Sequence, residues 1–119
     1  MKKFEFVNAA AKRDFLALPE EQVDQFGSDL NAIQHNKRPW SNFKDISGSV
    51  GVGAIELIEN GSPAYRVVYC AKYLDTVYIL HAFVKTCKGV DGANMKTAKE
   101  RYKLMMEQVR KAEKEAKYR

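Results

Sequence analysis

The chain predicts an α+β fold: an N-terminal helical hairpin packed on a small, mainly antiparallel twisted sheet of three to five strands, followed by a long C-terminal helix. Three observations lead there. Val23, Phe26, Leu30 and Ile33 recur at steps of 3, 4 and 3, one apolar stripe of an amphipathic helix. The segments AIELIE, AYRVVYCAKY and DTVYILHAFVK are rich in β-branched and aromatic residues, and the short joins NGSP and LD suit antiparallel hairpins. Finally, Met95, Ala98, Tyr102, Met105 and Val109 repeat at 3, 4, 3 and 4, which makes a narrow helical seam.

In chain order, KKFEFV alternates and reads as a short strand. Asn8 is placed to cap a helix ending at Leu16, and Pro19 with Glu20 and Glu21 fits the first turn of the next, which stops near HNKRP. Residues 37–53 hold Pro39, Gly48, Gly51 and Gly53, so a connecting loop with no regular element is expected. The three strands follow from Ala54, Ala64 and Asp75. Asn94 is then expected to cap the last helix, whose tail beyond Val109 has almost nothing to bury.

At 119 residues the chain fits one domain, set at 1–110 with 111–119 as a charged extension. It is 45% hydrophobic and 29% charged, with no apolar run near the roughly 20 residues a membrane span needs. The N-terminus lacks the apolar centre of a signal peptide, which leads to the expectation of a cytoplasmic protein with Cys70 and Cys87 as free thiols. Two isolated cysteines with His35 and His81 do not have the paired spacing of a zinc site, so neither metal nor other cofactor is expected. Residues 1–60 carry 7 Lys/Arg against 9 Asp/Glu and residues 61–119 carry 13 against 6, charges of −2 and +7. That asymmetry points to an acidic partner, nucleic acid or an acidic protein segment, or to a solvated lysine-rich helix.

Counting in twos divides each strand into faces. Tyr65, Val67 and Tyr69 oppose Arg66, Val68 and Cys70, and Tyr78, Leu80, Ala82 and Val84 oppose Val77, Ile79, His81, Phe83 and Lys85. If the wholly apolar sets pack on the helices, the other face displays Glu56, Arg66, His81, Phe83 and Lys85 as an open surface. Arginine can fork a phosphate, histidine titrates near neutrality, lysine neutralises phosphate and an aromatic ring stacks on an unpaired base. Those are the parts needed to cut RNA without a metal. Taken singly, each also has a structural reading: a hydrogen-bonded histidine, a Glu56–Arg66 cross-strand pair, a ring that covers the second face.

YRVVY at 65–69 followed by YILHAFVK at 78–85, with a helical hairpin before and AKERYKLM after, resembles the RelE/ParE toxin superfamily, in particular its phage-derived, HigB-like branch of type II toxin–antitoxin systems. The likeness covers roughly residues 5–107. It implies a RelE-like fold and an mRNA endoribonuclease that acts on ribosome-bound message, inhibits translation and is silenced by a cognate helix-turn-helix antitoxin, with which it would form a hetero-oligomer. By position, it implies that Arg66 stabilises the phosphorane, His81 serves as general base or acid, and Lys85 and Lys88 hold phosphate. Glu56, Phe83 and Lys72 join Lys88 as substrate-binding residues. The chain departs from that pattern at Ile58, where many relatives have arginine, and in KTCKGVDGAN after Lys85. These departures keep open a non-catalytic protein that binds RNA or an antitoxin-like partner; a gyrase-directed toxin is a further alternative.

Overall fold

A computed structural model describes residues 1–118. The elements are β1 (Lys3–Phe6), α1 (Ala9–Leu16), α2 (Glu20–Gln34), β2 (Asn42–Asp45), β3 (Ala54–Glu59), β4 (Ala64–Cys70), β5 (Thr76–Lys85) and α3 (Gly92–Lys117). They build the expected α+β architecture around one five-stranded sheet, in the order β1-β5-β4-β3-β2. Three neighbouring pairs are antiparallel, and only β1 runs parallel to its partner, β5.

Local chemistry sets the boundaries. The Asn8 side chain accepts from Ala11 N at 2.8 Å and caps α1. Pro19 immediately precedes α2, where its missing N–H costs nothing, and Glu20 and Glu21 lie in the positive first turn. Leu74 and Asp75 both take left-handed φ, 56° and 49°, and Thr76 N donates to Tyr73 O at 3.1 Å, the tight twisted turn that joins β4 to β5.

Helices cover both sides of the sheet. On one, Phe15, Phe26, Leu30 and Ile33 of α1 and α2 pack on Leu57, Val67, Val77, Ile79 and Ala82. On the other, Ala98, Tyr102, Met105 and Val109 of α3 pack on Ala54, Val68, Cys70, Tyr78, Leu80 and Phe83. The narrow seam read from the sequence is therefore the buried edge of α3.

Three expectations need correction. Asn42–Asp45 lies inside the stretch read as a loop and pairs with β3, Lys44 opposite Glu56. Its four residues, NFKD, are all exposed and carry no strand signature, so pairing with β3 decides the conformation. The cap of α3 is Asp91, not Asn94: the Asp91 carboxylate accepts from Asn94 N, and Asn94 is the third residue of the helix. Strict alternation also fails along β5. Val68 pairs with His81 and Tyr69 with Ile79, so Leu80 is an extra residue in a β-bulge. Tyr78 and Leu80 therefore pack on the same side as His81 and Phe83, while Val77 and Ile79 join Ala82 under α1 and α2.

Candidate functional site

The bulge decides what His81 meets. The face expected to be open is covered in part by α3, and Arg66, His81 and Phe83 are all buried. His81 Nδ1 lies 3.0 Å from Arg101 Nη1, and its Nε2 lies 2.7 Å from Asn94 Oδ1. Because a guanidinium only donates, Nδ1 must accept and Nε2 must carry the proton given to Asn94. Asn94 Nδ2 in turn donates to Asp91 Oδ2 at 2.8 Å, and Arg101 Nη1 donates to Asp14 Oδ2 at 2.8 Å. The ring stacks on Phe83 at 5.1 Å. Burial pushes the imidazole pKa down, against the Asn94 hydrogen bond; Arg101 adds to the fall and Asp14, 3.5 Å from Nδ1, opposes it, with the net direction downward toward the neutral ring. His81 thus ties β5 to α1 and α3, with both nitrogens engaged.

Arg66 is likewise committed on one side. Its Nη1 donates to Tyr65 O at 2.9 Å and to Glu59 O at 3.3 Å, and its Nη2 donates to Asn60 Oδ1 at 2.9 Å, all at the β3–β4 hairpin. Its Nε is buried with no hydrogen-bond partner and stands 3.6 Å from Glu56 Oε1. This nitrogen is thus ion-paired with Glu56 without a hydrogen bond to it.

Glu56 opens onto a cleft of about 280 Å³ bounded by β2, the end of β5, the 89–91 segment and the start of α3. Phe83 forms part of its lining, and Lys44, Lys85 and Asp91 bring charge to it. Burial raises the Glu56 carboxyl above its ordinary pKa; Arg66, Lys85 and Lys44 oppose that shift and Asp91 reinforces it. A carboxyl with a raised pKa, cations around it and a guanidinium paired to it has the parts for general acid–base chemistry on a phosphodiester.

The fold brings Glu56, Arg66, Phe83 and Lys85 together and sets His81 behind Phe83. Lys88 is exposed beside the cleft's 89–91 wall without lining it. Lys72 stands apart. It follows the end of β4 and packs by Gly53, whereas Lys85 pairs with Ala64 at the start of that strand. Sequence reasoning missed Lys44, Asp14 and Arg101. Lys44 was hidden by the unreadable strand, but Asn94 and Arg101 are seven residues apart on α3, a same-face spacing that could have linked them to one strand residue. Among the described residues no group of three or more His, Cys, Asp or Glu side chains is placed to hold a metal ion.

The family model described as Phage derived protein Gp49-like (DUF891) matches residues 13–103, well over half the chain. The chain belongs to the Gp49-like family. This is a toxin-like family related to the toxins of type II toxin–antitoxin systems. The matched span runs from α1 into α3 and so contains Asp14, Glu56, Arg66, His81, Lys85 and Arg101. No curated protein matches the chain significantly. Among the described residues, no helix is long and apolar enough to cross a membrane.

Proposed function

We propose that this Gp49-like protein is the toxin of a toxin–antitoxin pair of the RelE/HigB type and that it cleaves mRNA on the ribosome, with the Glu56 cleft as its active site. The observation that carries the reading is the Glu56–Arg66 pair: a carboxyl with a raised pKa on a cleft flanked by Lys44 and Lys85, ion-paired at 3.6 Å with a buried guanidinium whose Nε makes no hydrogen bond. Glu56 takes the proton of a ribose 2′-hydroxyl. The 2′-oxygen attacks the adjacent phosphorus, the bond from phosphorus to the 5′-oxygen breaks, and that oxygen leaves with a proton from solvent in the open cleft. The products are a 2′,3′-cyclic phosphate and a 5′-hydroxyl. The Lys85 ammonium and, from behind Glu56, the buried Arg66 guanidinium offset the charge that develops on the phosphorane, and Phe83 offers a ring against which a base can stack. Lys88, on the exposed rim, holds a flanking phosphate.

His81 acts in this reading as a positioning residue that seats α3 and Phe83, since Asn94 and Arg101 occupy both ring nitrogens. Growth after induced expression in bacteria tests the proposal. Wild type arrests growth, and Glu56→Gln and Lys85→Ala relieve the arrest at equal protein level. Equal arrest by all three would remove the cleft from the mechanism, and no arrest by the wild type would favour a non-catalytic binding protein.

A further inference from the structure

Helix α3 is longer than the sheet requires. Its buried residues end at Val109, yet it continues to Lys117. At about 100° per residue, Lys96, Lys99, Lys103, Arg110, Lys114 and Lys117 all fall within an arc of about 60°, while Ala98, Met105 and Val109 face away from it. All six are exposed. At 1.5 Å rise per residue the row is about 31 Å long. The acidic residues of α3, Glu100, Glu107, Glu113 and Glu115, lie outside that arc. Among the described residues the ion pairs closer than 4.0 Å involve Lys2, Arg66, His81 and Arg101, so none of the six is in such a pair.

The row also has a direction. Asn94, Arg101 and Gln108 mark the opposite flank of α3, which meets His81, Asp14 and Val7. Met95 and Tyr102 mark the near flank: Met95 lines the Glu56 cleft, and the Tyr102 hydroxyl donates to Val52 O at 2.8 Å. Lys103 and Arg110 line a second groove of about 300 Å³ with Tyr102, Met106 and Glu107. The cations therefore run away from the cleft on its own side of the helix.

We infer that this row is a track for the phosphodiester backbone of a single RNA strand leaving the Glu56 cleft. The inference deepens the proposed function and rests on it for the identity of the nucleic acid. A rigid line of unpaired cations neutralises successive phosphates and displaces their counterions, whatever the base sequence. A solvated face explains charge in general; the row adds an unbroken line of cations with the acids of α3 set to its sides, Glu107 and Glu100 about 20° and 40° beyond its edge.

The test separates the track from the chemistry. In a Glu56→Gln background, which removes turnover, binding of a fluorescent 15-nucleotide single-stranded RNA is followed by anisotropy between 50 and 300 mM salt. Adding Lys103→Gln, Arg110→Gln and Lys114→Gln should make the slope of log K against log salt shallower by about 2, and lower affinity near 0.1 M salt on the order of a hundredfold. Far-UV circular dichroism checks that α3 remains helical. An unchanged slope overturns the track even if Glu56 proves catalytic. Polyglutamate that competes as well as RNA at equal charge also overturns it, because the row would then be a site for an acidic protein segment. A shallower slope in a protein that never cleaves RNA supports the track and dismisses only the catalytic reading.

Discussion

Glu56 and His81 are both ionisable groups taken out of water, and their surroundings give them different work. Glu56 has a raised pKa, so its ionised form is the one that burial disfavours; its stability contribution is present at low pH and lost as pH rises through the folded pKa. Glu56→Gln should therefore keep or raise the melting temperature at neutral pH while lowering RNA cleavage about 10²–10⁴-fold, the usual range for losing a general base. A melting temperature that fell together with activity would mark Glu56 as structural. The sign for His81 differs. Its folded pKa lies below the ordinary value of 6.5, so its contribution is complete above that value and is lost as pH falls through the folded pKa. Denaturant unfolding of wild type should weaken over that interval, and His81→Ala should flatten the dependence and cost about 1–3 kcal/mol near pH 7 by leaving Asn94 and Arg101 unsatisfied. A pH dependence identical in the variant would contradict the network.

Two elements hold the cleft's walls. The fully buried Asp29 of α2 accepts from Trp40 N, Ser41 N and the Ser41 hydroxyl, which fixes the chain as it enters β2 and so places Lys44. Asp29→Ala should cost about 1.5–3 kcal/mol by urea unfolding, the worth of a hydrogen bond to a charged group, and should shift the fluorescence of Trp40, the only tryptophan. Gly51 allows the 46–53 segment to touch α3: a Cβ there would stand 2.3 Å from the Tyr102 ring. The sequence made most of these elements legible. Periodicity marked α1, α2 and α3, and β-branched runs marked β3, β4 and β5, because their burial patterns repeat locally. The misses came where pairing at long range decides the outcome. β2 exists because β3 offers it a partner, and one extra residue at Leu80 reverses the faces of half of β5. Lys85, Phe83, Arg66 and Glu56 were legible as one group because they lie on the regular side of that bulge, whereas the partners of His81 depend on how α3 crosses the sheet.

Over the whole molecule, charge and shape point the same way. The chain measures 50 × 28 × 24 Å, long in one direction for a domain of this size, and its positive excess lies in the half that contains β5 and α3. Ending the chain after Arg110 removes Lys111, Lys114 and Lys117 but no buried residue among those described, so stability should hold while RNA affinity falls. A large loss of melting temperature would show instead that the extension supports the fold. The ends of the RNA report directly on the chemistry of the cleft. A defined message should be translated in a bacterial extract with purified protein, and its fragments tested for 2′,3′-cyclic phosphate and 5′-hydroxyl termini. Wild type should leave both termini and Glu56→Gln neither; intact message with wild type, or the same cuts with Glu56→Gln, would rule out the Glu56 cleft as the active site.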